Sequence, residues 1–434
     1  MKLFALGLVV FMTTFQVGCI KEYTDPSAIT DTQVVSSTEG LFSLCNAMQL
    51  RYSVGRQSPT YQGFSASGLS TKELRVLNVG NTDEVNLEAG GASVTRANAI
   101  VGQLWNQSFL LMNECNRVLD NLSIVSSANA QVALKSYANI FKALAIGNLA
   151  TYFEKMPITL GKNQPFVTRE DALRAAVALL EDTEKTLSGV TLPVDVTSRL
   201  VSSIDLKNTA VALQARFNLM LKDYPKALAA ANKVDLTKKS FFKFDAVNTN
   251  PIFFVAQSNR NVVEPANAKM GLAAAIAPDS LDKRLPFYLN PIASTSINLG
   301  WGFNRSNGSD MPVYLPGEMR LVKAECLVQT DPGAAITELN GVIKKKPAED
   351  PWGVGADIAA GYTGAATKDA VLVEIYRQRC IELFNSGLRL EDNRRLGRPG
   401  PDQPSNVRER TRNFYPYPQT ERDNNTQIPA DPVL

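Results

Sequence analysis

Three features of the sequence predict an all-α fold. Apolar residues recur at helical spacing in long runs: Leu41, Leu44, Cys45 and Met48 in one, Ile100, Leu104, Leu111, Met112, Cys115 and Val118 in another. Tight turns such as Lys222-Asp223-Tyr224 and Thr330-Asp331 join helical runs in pairs. Between the runs lie three stretches, about 53–97, 237–316 and 346–366, where the period dissolves into Gly, Pro, Asn and Ser with scattered aromatic residues. The chain therefore divides into a helical scaffold and long loop-rich inserts, not into sequential domains.

Length and composition bound the function. With 434 residues, the chain has room for a sizeable core, and 44% hydrophobic against 20% charged residues reads as globular. A net charge of +3 offers no basic patch large enough to argue for nucleic acid. The absence of histidine removes Ser-His-Asp and Cys-His catalysis, the H-E-x-x-H zinc helix and a histidine proton switch. Paired carboxylates remain open as catalysts, since there are 42 acidic residues. The five cysteines form no C-x-x-C pair, so no zinc site and no cofactor are expected; a calcium ion on the many Asp and Asn loops stays open, although no D-x-D-x-D-G loop is present. Cys45, Cys115, Cys326 and Cys380 each fall within a helical pattern, either as buried thiols or as one or two disulfides.

The chain opens on Met1-Lys2, an apolar run from Leu3 to Phe15, and Gln16-Val17-Gly18-Cys19. A charged start and an apolar segment too short for a membrane span fit a secretion signal covering residues 1–18. Small Gly18 directly before Cys19 resembles a bacterial lipobox, in which the cysteine is lipidated; Gln16 departs from the usual Leu. The next segment, Lys21 to Pro26, reads as an extended tether.

A first helix follows, and then the insert holding Tyr61 and Phe64. A third helix over 131–155 carries Ala138, Ala143, Ala145 and Gly147, small enough to admit a close neighbour. Thr168 followed by Glu170 and Asp171 marks the start of the fourth. The pair Leu206–Met220 and Pro225–Val234, with Ala215 and Ala227 at the crossing, reads as tetratricopeptide-like, and Glu318–Gln329 with Pro332–Ile343 repeats it. One such pair cannot bury its own apolar stripe, so neighbours must stack into a superhelix. An irregular helical bundle is the alternative arrangement.

Near the end, Leu372, Ile375, Tyr376, Cys380, Leu383 and Phe384 line one face of a helix, and Gly387 supplies a left-handed residue to end it. Arg389, Asp392, Arg394 and Arg395 follow, placed to pair with each other or with Glu382, unless they form a solvated face. The series Arg379, Glu382, Leu383, Gly387, Arg389, Asp392, Arg395 and Gly397 resembles, without a gap, the C-terminal signature of the SusD/RagB family. Gln378, Ser386 and Asn393 depart from it. Pro416-Tyr417-Pro418 with Glu421 and Asn425 resembles the family's closing motif, and Trp105 with Asn116-Arg117-Val118-Leu119 matches a third.

The resemblance covers nearly all of residues 19–434 and implies one SusD-like domain, a stacked tetratricopeptide-like superhelix whose inserts form a ligand-binding face. It implies a lipoprotein of the outer membrane, facing the exterior, which binds a nutrient without bond chemistry. That nutrient is a glycan, or else a peptide, passed to a SusC-like TonB-dependent transporter. Flat aromatic rings beside Asn and Arg suit sugar faces. The densest such mixture is Tyr288, Trp301, Phe303, Asn304 and Arg305, with Tyr61 and Phe64 expected to face it from the first insert. Phe242, Phe253 and Phe254 read as core. The rival readings are an all-α glycoside hydrolase working through paired carboxylates and a bare protein–protein adaptor.

Overall fold

The computed structural model describes residues 34–258, 261–293 and 296–433, so Cys19 and its leader lie outside the described residues. The helical scaffold opens with α1 (Thr38–Ser53), α2 (Pro59–Ser70), α3 (Thr82–Ala89), α4 (Ala99–Leu119) and α5 (Ala128–Tyr152). It continues with α6 (Arg169–Thr186), the single turn α7 (Val194–Thr197), α8 (Leu206–Met220) and α9 (Tyr224–Ala231). After an insert carrying α10 (Pro251–Ser258) and α11 (Arg284–Tyr288) come α12 (Pro316–Leu327), α13 (Pro332–Ile343), α14 (Lys368–Glu382), α15 (Arg389–Arg395) and α16 (Gln419–Asn424).

Local chemistry sets many of the starts. Asn98, Ser127, Thr168, Asp205, Asp223, Asp331 and Thr367 each accept a backbone amide of the helix they precede. Such a cap contributes about 1 kcal/mol. Lys222, with φ at +59°, closes the turn between α8 and α9. Helices then pack in succession, α4 on α5, α5 on α6, α6 on α8, α8 on α9, α9 on α12 and α12 on α13. This is the expected tetratricopeptide-like stack. Ala215 and Ala227 are fully buried where α8 meets α9. Gly147 faces Phe217 so closely that a β-carbon there would enter the phenyl ring, which is why α5 needs a small residue.

The first insert differs from the expectation. Residues 53–97 are largely ordered as α2, the strand β1 (Leu74–Val76) and α3. Every residue of α2 except Thr60 is buried. Its Ser, Ala and Gly residues leave no amphipathic period, because the helix is enclosed on all sides. Small side chains let it approach its neighbours, and its hydroxyls find partners inside: Ser67 accepts Leu390 N at 3.1 Å and Ser70 lies 2.7 Å from the Tyr415 hydroxyl.

The remaining short strands are β2 (Lys155–Met156), β3 (Val167–Thr168), β4 (Phe241–Phe242), β5 (Val263–Pro265), β6 (Asn290–Ala293), β7 (Ser296–Asn298) and β8 (Met311–Pro312). Among the described residues the four pairings are all antiparallel and two-stranded. The β1–β5 ladder ties the first insert to the second, with Arg75 opposite Glu264. The β4–β8 ladder closes the second insert on itself.

The C-terminal signature is interior. Asp392 takes Arg379 Nε at 2.9 Å and Arg395 Nη2 at 2.8 Å, and Arg395 also pairs with Glu325. Arg389 donates to the carbonyls of Met270 at 2.6 Å and Cys380 at 2.9 Å, with Glu73 at 3.6 Å. Glu382 does not pair with these arginines. It binds Arg284 of the second insert and Lys345 beside the third, each at 2.9 Å, because α14 turns it away from α15. Asn385 (φ +64°) and Gly387 (φ +80°) together make the reversal between α14 and α15. Trp105 donates its indole N–H to Glu421 at 3.2 Å, joining two of the motifs singled out in the sequence. Cys45, Cys115, Cys326 and Cys380 are buried free thiols.

Candidate functional site

From Lys239 to Phe244 the chain alternates, with Ser240, Phe242 and Phe244 buried and Lys239, Phe241 and Lys243 outward. That is the two-residue period of an extended strand, fixed here by the β4–β8 ladder. The outward Phe241 ring meets Trp352 of the third insert edge-on, with centroids 5.7 Å apart. Trp352 meets Phe303 at the same distance, and Phe303 lies 5.3 Å from Phe287. These four rings are half-buried, and each T-shaped contact contributes about 0.5–1.5 kcal/mol beyond area burial. Trp301 extends the strip, its indole N–H fixed to the Pro286 carbonyl at 3.0 Å. The Arg305 guanidinium sits 4.7 Å from the Trp301 centroid and 5.8 Å from that of Phe287. The Lys239 ammonium lies 4.6 Å from the centre of Trp352.

Behind Phe303 opens a pocket of about 150 Å³. Tyr52, Phe217, Phe242 and Tyr314 supply much of its apolar wall. Its polar floor is Arg216, held by both oxygens of buried Glu318 at 2.6 and 2.7 Å and donating to Val313 O at 2.7 Å. Burial would weaken protonation of Arg216, but Glu318 outweighs it and holds the pKa above its ordinary value. Asn304, 5% exposed, also lines the pocket, and its side-chain oxygen accepts no hydrogen bond from the described residues. A cavity of this size takes one six-membered ring. The arrangement offers a ring-sized recess with one unused acceptor, sharing Phe303 with a strip of aromatic rings.

Of the residues singled out in the sequence, Trp301, Phe303 and Arg305 come together on the strip and Asn304 on the pocket wall. Tyr288 is also at the pocket, but only 4% exposed, and its hydroxyl donates to Glu382 O at 2.7 Å. Tyr61 and Phe64 do not face the strip. They are 1% and 2% exposed within α2, 5.9 Å apart, and pack the core. Phe254 is 43% exposed and not core. Phe241, Phe287, Trp352 and Lys239 join the site without having been singled out as ligand contacts. The alternation around Phe241 was the signal available for it, whereas Trp352 depends on how two inserts fold together. Among the described residues no helix is long and apolar enough to cross a membrane, and no group of three or more His, Cys, Asp or Glu is placed to hold a metal ion.

A helical-repeat scaffold carrying aromatic inserts on one face defines the class. No family model and no curated protein matches the sequence. Solved structures do match the fold. A SusD superfamily protein from Bacteroides fragilis aligns over 90% of this chain and 99% of its own, with 17% identity and a TM-score of 0.68. Another from Bacteroides vulgatus aligns over 92% and 98%, with 13% identity and a TM-score of 0.67. A Bacteroides fragilis protein described as a SusD-like carbohydrate binding protein aligns over 91% and 100%, with 15% identity and a TM-score of 0.65. The fold is that of the SusD superfamily.

Proposed function

We propose that the protein is a surface nutrient-binding lipoprotein that holds an oligosaccharide on the Phe241–Trp352–Phe303–Phe287–Trp301 strip, with one ring reaching the pocket beside Phe303. The observation that carries this reading is the strip itself, half-buried, its rings set edge-on against one another and Trp301 pinned by a hydrogen bond, on inserts of a scaffold with the fold of SusD superfamily structures. Two structural neighbours are described as SusD-like carbohydrate binding proteins, which supports a sugar as ligand. Binding occurs without bond chemistry. Glu318, the carboxylate at the pocket floor, is occupied by Arg216 and so is poorly placed to act as a general acid or nucleophile.

In this reading residues 1–18 are removed, Cys19 carries the lipid, and residues 19–434 form one domain on the outer face of the outer membrane. Several acyl chains hold such a tether firmly, since each buried methylene adds about 0.8 kcal/mol. The bound glycan passes to a SusC-like TonB-dependent barrel, which supplies the energy. Affinity electrophoresis through gels containing individual polysaccharides tests the binding step. Retardation by a glycan, with no new reducing ends, is expected; release of product would favour the hydrolase instead. Radiolabelled palmitate incorporated by the native protein and lost on Cys19→Ala tests the anchor, and co-purification of a large β-barrel tests the partner.

A further inference from the structure

A neutral sugar stacks on aromatic rings through its C–H faces, so the ring faces must be open to it. On this strip two indoles have a face already occupied. Lys239 lies over Trp352 and Arg305 over Trp301, each less than 5 Å from the ring centre. Among the described residues neither cation has an ion-pair partner, and both residues are exposed. Lys243 projects from the same outward face as Lys239 and Phe241 and likewise has no ion-pair partner among the described residues. Two carboxylates, Asp310 and Asp245, lie within electrostatic reach of the lysines and offset part of their charge, leaving three cations against two anions on this rim. Asp310 is half-buried, with burial raising its pKa against the pull of Lys243 and Lys239, while the amides of Asn248 and Val247 hold exposed Asp245 ionised near Lys243. In contrast, the interior arginines Arg284, Arg379 and Arg395 all have carboxylate partners.

Resting on the glycan reading above, we infer that the ligand is an acidic glycan, bearing carboxylate or sulfate groups that pair with Lys239, Lys243 and Arg305 while its rings lie along the aromatic strip. A neutral polymer finds one face of each indole covered and has no group to pair with the three cations. An anionic one leaves those cations over the indoles, lays its rings on Phe241 and Phe303, over which no such cation sits among the described residues, and adds a charge-assisted hydrogen bond at the rim. The same geometry makes recognition sensitive to salt, because the three cations are exposed.

Affinity electrophoresis on matched polymers tests this. Polygalacturonate is compared with its methyl ester, and a sulfated galactan with its desulfated form, at low and high salt; polyglutamate serves as an acidic non-glycan. Expected is binding to an acidic glycan about tenfold tighter than to its neutral partner, weakened by salt. Whichever acidic polymer binds identifies the carboxylate or the sulfate as the group recognised. Lys239→Gln and Arg305→Gln should each weaken that binding by about fivefold and leave the melting temperature unchanged, as both side chains are exposed. Equal binding of the neutral and acidic forms, or indifference to salt, overturns the charge assignment while the glycan reading stands. Polyglutamate bound as tightly as the glycan also overturns it. Binding to no glycan of either kind overturns both.

Discussion

Gly317 at the start of α12 lies against the carboxylate of Glu382, with no space between them for a β-carbon. Glu382 cannot step aside, because Arg284 and Lys345 each hold one of its oxygens at 2.9 Å and all of its side chain is buried. The contact joins the tetratricopeptide-like stack to the C-terminal signature. Gly317→Ala must therefore push either a helix or an ion-pair network out of place. A loss of about 1–3 kcal/mol is expected, the usual range for overpacking. Urea unfolding measures it, and a change below the experimental error would mean the α12–α14 contact is looser than described.

Asp392 links stability to pH. Burial alone would raise its pKa, but Arg379 and Arg395 outweigh burial and hold it below the ordinary value. The unfolded chain, with an aspartate near about 3.9, therefore takes up its proton before the folded one does. The stabilisation is present above that value, is lost as pH falls toward the lower folded pKa, and is gone beneath it. Glu391 follows the same sign: burial opposes it, and Arg394 and Arg169 prevail. Asp392→Asn should thus cost most near neutral pH. The gap in unfolding free energy between the variant and the parent should narrow as pH falls from about 6 to about 3. A gap independent of pH would show that the carboxylate charge does not matter.

Arg389 reaches across the reversal to the carbonyls of Met270 and Cys380 while Glu73 lies 3.6 Å away. Arg389→Ala strands two buried acceptors and a buried carboxylate. The expected cost is about 3–5 kcal/mol, the range for breaking a buried charged pair from one side. Thermal unfolding monitored by circular dichroism checks this. Arg389→Lys should recover only part of the loss, since an ammonium cannot span both carbonyls as the planar guanidinium does.

Much of the scaffold was legible because helix pairs announce themselves locally. Asp223 and Asp331 cap their helices, Ala215 and Ala227 mark a crossing, and the reversal near Gly387 needs a left-handed backbone. The helix holding Tyr61 and Phe64 was not legible. Its apolar and small residues surround the axis, so periodicity gave no sign of a helix buried on all sides. The partners of Glu382 were equally hidden, since Arg284 and Lys345 lie far away in sequence and meet it only in the folded chain. Within the candidate site, the local density of aromatic and polar residues marks Trp301, Phe303 and Arg305, which the fold brings together. Trp352 entered through a contact between two inserts that no local pattern encodes.

Phe64 and Trp301 offer a paired test of which aromatic residues serve the fold and which serve the ligand. Phe64 is 2% exposed, so Phe64→Ala removes packing and leaves a void, at a cost of about 3–5 kcal/mol in stability. Affinity of the fraction that remains folded should be unchanged. Trp301 is half-buried, with one face under Arg305 and its N–H on the Pro286 carbonyl. Trp301→Ala should weaken glycan binding by about 1–3 kcal/mol, as expected for an aromatic anchor, with little change in unfolding. Trp352→Ala should act in the same direction and also loosen Phe241 and Phe303, which rest on its ring. Isothermal titration with the best-retained polysaccharide, run beside urea unfolding for each variant, separates the two effects. If Phe64→Ala abolished binding in protein still folded, or Trp301→Ala left affinity intact, the strip would lose its role as the ligand face.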